Sequence, residues 1–88
     1  MRAVISVVGQ DKPGILAYVA SECASRDMNI VDVTQKVLRD IFTMIMIVEL
    51  EDTADFKKHV HDMEEEGAKR GLVINVMAES VFDAMHTI

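Results

Sequence analysis

The stretch VVGQDKPGILAYVASECASRDMNI, residues 7–30, decides the fold. It opens on the end of a β-branched run, residues 2–8, that Gly9 closes, which reads as a strand entering a turn. Beyond the polar corner GQDKPG, residues Ile15, Leu16, Val19, Ala20, Cys23 and Ala24 recur on one helical face, with Ser21, Glu22, Ser25 and Arg26 opposite. Asp27, Met28 and Asn29 break that pattern, and Ile30 begins an alternating run. Strand, helix and strand therefore follow one another within thirty residues.

Outward from there, residues 30–38 place Val31, Val33, Gln35 and Val37 on one side and Ile30, Asp32, Thr34, Lys36 and Leu38 on the other. Arg39 and Asp40 offer a two-residue polar break without the glycine that the tightest hairpins prefer. The next run, IFTMIMIVEL, is apolar on both faces, so a sheet containing it needs cover on both sides. Two helices on one face leave the other open, and an exposed apolar patch of that size marks an association surface. A second copy of the chain would cover it.

Glu51, Asp52 and Thr53 supply N-cap chemistry. Phe56, Val60, Met63 and Gly67 then repeat at helical spacing until Gly71 stops the helix. The run Glu64–Glu66 reads as part of its solvated face, and Lys69 and Arg70 suit the negative end of the helix dipole. Residues 72–78 form a fourth apolar run. Ser80 with Asp83 resembles a capping-box start for a short terminal helix, expected to pack on its own dimer. The order is βαββαβ plus a short helix, with no repeat or linker. It predicts one α+β domain over residues 1–88, a ferredoxin-like sandwich with a four-stranded antiparallel sheet and two helices on one face.

Composition excludes several function classes. The 88-residue chain carries a formal net charge of −6, against a partner bound through phosphate neutralisation, which needs clustered Lys and Arg. Nucleic acid is not an expected partner. The single cysteine, Cys23, lies on the apolar helix face, where burial rather than redox chemistry is expected. The apolar run 44–48 is far too short to cross a bilayer, and the N-terminus lacks a leader pattern. The expected setting is cytoplasmic, with no membrane partner. His59 and His61 stand two apart on a helix and point to different sides, and His86 adds no ligand spacing, so no metal site, cofactor or enzyme activity is expected.

The corner has two readings. Lys12 is biased away from helical angles and Pro13 suits a first helical position, so the helix is expected to start at Pro13. Its free N–H groups favour a carboxylate, Gly14 clears the approach, and Asp11 beside an anion site makes sense if the ligand carries a cation near its anion. An α-amino acid is such a ligand. Equally, Asp11 serves as a cap, Gly9 as a strand end and Pro13 with Gly14 as a turn. Asn29 is likewise a loop residue or a polar group reaching a ligand.

Taken together, VVGQDKPGILAYVA, MNIVDVTQ and FTMIMIV resemble an ACT domain, the small regulatory module that commonly binds amino acids. The likeness spans essentially the whole chain and is strongest to short stand-alone ACT proteins related to the N-terminal ACT domain of glycine-cleavage repressors. The resemblance implies a ligand between two subunits, touching Asp11, Pro13, Gly14 and Ile15 of one and Asn29 and Ile30 of the other. It also implies a regulated partner, which the sequence does not name. Some members dimerise without a ligand, so a structural dimerisation or docking module stands as the alternative. RNA-recognition, heavy-metal-carrier and acylphosphatase modules share the topology. They need strand aromatics in a basic field, paired cysteines or a loop arginine, and this chain offers Phe42 as its one aromatic in a predicted strand, one Cys, and Asp11 with Lys12 in the loop.

Overall fold

The computed structural model describes residues 1–51 and 53–85. Asp52, expected among the caps, and His86 lie outside the described residues. The elements run β1 (Arg2–Gln10), α1 (Ile15–Ala24), β2 (Asn29–Leu38), β3 (Ile41–Glu49), α2 (Phe56–Lys69), β4 (Leu72–Ala78) and α3 (Glu79–Met85). All strand pairs are antiparallel in the order β2-β3-β1-β4, which is the expected ferredoxin-like sheet.

The core lies between the sheet and α1 and α2. Ala3, Ile5 and Val7 of β1, Met44, Met46 and Val48 of β3, and Ile74 and Val76 of β4 face Ile15, Val19, Cys23 and Met63. Methionine takes a large share because few aromatics are present and a flexible thioether fills irregular gaps. Phe42 is buried in this cluster, on the helix side and away from any surface on which a base could stack. Cys23 is fully buried with its thiol 3.8 Å from the Met46 sulfur. Loss of hydration raises its pKa to about 11, which leaves an inert thiol. Leu16 and Ala24, expected on the buried face of α1, are exposed at its flank.

Several expected boundaries shift for physical reasons. Gly9 does not end β1: the strand continues to Gln10, with Gly9 opposite Phe42 and Leu72. Its lack of a side chain serves a close approach instead, since a Cβ there would sit 2.7 Å from Leu72 Cδ2. Val31 is the extra residue of a bulge between Ile30 and Asp32, so Ile30 and Val33, expected on opposite faces, both pack on the core. Helix α2 begins after Asp55, with no side-chain cap. Helix α3 begins at Glu79, which puts Ser80 inside the helix rather than at its cap, and it packs against β1 and β4 of its own chain.

Glu64 is more than solvated surface. Its carboxylate accepts a hydrogen bond of 3.0 Å from the Val76 N–H, a donor on the edge strand β4 that would otherwise be free to pair with another chain. The opposite sheet face is open. Along β3 burial alternates, Phe42, Met44, Met46 and Val48 inward and Ile41 and Ile45 outward, and Val8, Leu38 and Val73 join the exposed apolar set on that face.

Candidate functional site

The corner after β1 is held from two sides. The Asp11 N–H donates to the Asp40 carbonyl at 2.7 Å, which ties the corner to the β2–β3 turn, where Arg39 adopts a φ of 60° in place of the missing glycine. On the other side, Lys12 Nζ donates to the Arg70 carbonyl at 2.9 Å, linking it to the turn between α2 and β4.

Helix α1 starts two residues later than expected. Gly14 is its N-cap with a φ of 89°, and the first helical bond runs from the Tyr18 N–H to the Gly14 carbonyl at 2.9 Å. A residue with that φ cannot be helical, so Pro13 lies in the turn before the helix rather than at its first position. No side chain caps α1, which removes Asp11 as a cap and leaves the first N–H groups without side-chain partners. A Cβ on Gly14 would meet nothing within 4 Å, so glycine is required here by conformation and not by space. Gly14→Ala is therefore expected to cost about 1–2 kcal/mol of folding stability, with Gly14→Asn losing less, measured by urea unfolding. A loss of only a few tenths for alanine would show that the turn relaxes to another conformation.

Beside this turn lies a cavity of about 160 Å³ bounded by residues 12–15, Tyr18, Arg70 and Leu72. The Arg70 guanidinium stacks over the Tyr18 ring, 4.1 Å from its centroid. The Tyr18 hydroxyl is shielded from water and has no hydrogen bond of good geometry among the described residues. Burial, then the neighbouring Glu22 carboxylate, raises the phenol's pKa, with Arg70 opposing. Both charged groups lie near enough to bias its titration.

Of the expected site residues, Asp11, Pro13, Gly14 and Ile15 thus come together. Asp11 is exposed, and Ile15 anchors the turn by burying its side chain in the core. Asn29 and Ile30 are elsewhere in the chain. Asn29 pairs with Glu49, which pairs with Arg2 at the start of β1, so the nine residues of β1 put them roughly 25 Å from the corner. There Asn29 is exposed and lines a broader groove of about 900 Å³ together with Arg2, Asp27, Glu49 and Asp55. Ile30 is half-buried against the core. Sequence reasoning missed Tyr18 and Arg70. Nothing in the spacing of positions 18 and 70 signals that they meet.

A family model described as ACT domain matches residues 2–77. A UPF0237 protein of Streptococcus mutans is 39% identical over 88 residues, covering all of both chains. An ACT domain protein from Streptococcus pneumoniae has a solved structure with a TM-score of 0.84, 36% identity and 93% of each chain covered. A candidate glycine cleavage system transcriptional repressor shares the fold at a TM-score of 0.73 and 23% identity, over 86% of this chain and 44% of that one. With the matched segment running from the first residue of β1 almost to the end of β4, and with a full-length relative and a solved structure in agreement, the chain belongs to the ACT domain family.

Proposed function

We propose that this protein is a non-catalytic regulatory module that binds an amino acid between two copies of itself. The observation that carries the reading is the uncapped start of α1 beside exposed Asp11, an anion-seeking helix end and a carboxylate within one turn. An α-amino acid offers the complementary pair of charges, its carboxylate to the helix start and its ammonium to Asp11. Asn29 and Ile30 reach such a ligand only from a second subunit, because their own chain holds them at the far end of the sheet. A two-fold axis across the open faces runs the β1 strands of the two chains in opposite directions and brings one chain's corner toward the other's β2 start. The ligand then favours the paired state, so association tightens as it binds.

The test is a thermal-shift screen against the twenty amino acids at about ten times a millimolar Kd, with Asp11→Ala alongside. A binder adds about 1.4 kcal/mol, or roughly 5–11 °C in a domain of this size. Because Asp11 caps nothing, the variant is expected to fold with unchanged stability and lose the shift. A flat wild-type panel would favour the second reading, a dimerising or docking module without ligand. That reading is supported by the same open apolar face.

A further inference from the structure

We propose that the cavity between the first turn of α1 and the turn into β4 is the carboxylate subsite, in which Arg70 and Lys12 hold the anionic end of the ligand; this rests on the reading above. The chain is acidic, with 15 carboxylate against 9 basic side chains, yet the cavity lining includes two cations and no carboxylate. Among the described residues neither cation forms an ion pair. Lys12 spends one N–H on the Arg70 carbonyl, and Arg70 makes a stacking contact with Tyr18 and no ion pair among the described residues. Glu22, the acid that bears on Tyr18, is paired with Arg26.

Tyr18 acts as a positioning residue. Its ring carries the guanidinium plane, limiting the freedom of a long side chain before any ligand arrives. A guanidinium presents two parallel N–H groups to a carboxylate, and the volume of about 160 Å³ admits a small headgroup. Recognition of the ligand thus draws on three segments: the corner, α1 and the α2–β4 turn.

Isothermal calorimetry tests this with whichever amino acid binds, its carboxamide and inorganic phosphate, on the wild type, Arg70→Gln, Arg70→Lys and Lys12→Gln. Arg70→Gln is expected to weaken the amino acid roughly 10- to 100-fold and to leave the already weak carboxamide unchanged, with Arg70→Lys recovering part of the loss. Equal weakening of acid and carboxamide would overturn the subsite, because it would mark a structural role, and so would wild-type affinity in both Gln variants. A wild type that binds amino acids while the subsite variants behave normally refutes the subsite alone. A wild type that binds none removes the regulatory reading and the subsite with it, and Arg70-dependent binding of phosphate in that case would assign the cavity to a phosphate group instead.

Discussion

Replacing Ile5 with alanine is expected to remove about 4 kcal/mol of folding stability, which lowers the midpoint of thermal unfolding by roughly 15–30 °C. Ile5 is fully buried at the centre of β1, between Met46 of β3 and Val76 of β4. The two strands and the helices around it leave little room for the backbone to collapse into the gap. The loss therefore combines the transfer of the missing carbons with an unfilled cavity. The total stability of a domain of this size is about 5–15 kcal/mol, so the variant is expected to be close to unfolding at 37 °C. Urea titration with an unchanged slope is the direct measure. A loss below about 1 kcal/mol would mean that the neighbouring methionines Met44 and Met46 swing in to fill the space, and that the core is plastic rather than close-packed.

The second large effect is on association. Ile45→Lys is expected to leave the chain folded and to weaken the dimer proposed above by roughly a thousandfold. Ile45 projects from the middle of β3 on the open face, 47% exposed, and is flanked by Ser6 on β1 and Thr34 on β2. In the monomer a lysine there stays in water and costs little. At a two-fold interface the same change occurs twice, and two buried hot-spot losses of about 2 kcal/mol each add to roughly 4 kcal/mol. Equilibrium sedimentation with and without ligand, beside an unchanged far-ultraviolet circular dichroism spectrum, reads both halves. If wild type and variant sediment alike, the open face is not the interface of the proposed dimer, and the ligand geometry drawn across it falls too. Val8→Lys is the companion. It is 43% exposed on the same face, while its neighbour Val7 is fully buried on the other, so adjacent positions separate interface from core.

These effects follow from a periodicity that is readable before any coordinates. Helical spacing in α1 and α2, the position of Gly71 and the apolar run of β3 specify the order of elements, because local backbone preference and burial of one face agree at each of those segments. The two-sided character of IFTMIMIVEL likewise announces the open face, and the position of Cys23 on its helix announces its burial. The corner residues were legible as a group, since proline and glycine constrain backbone angles whatever lies around them.

What the chain's local pattern cannot carry is which distant residues meet. Lys12 and Arg70 are 58 positions apart and touch because β4 returns beside β1. Glu64 reaches the Val76 N–H because α2 lies along β4, so an acidic run that looked like solvated surface also protects a strand edge. The bulge at Val31 puts Ile30 on the core side, and pairing with Phe42 and Leu72 carries β1 past Gly9. Side-chain periodicity reports only how each segment divides its own faces. The cavity beside Tyr18 and the separation of Asn29 from Asp11 are decided by strand order and register, which are set by contacts between segments far apart in the chain.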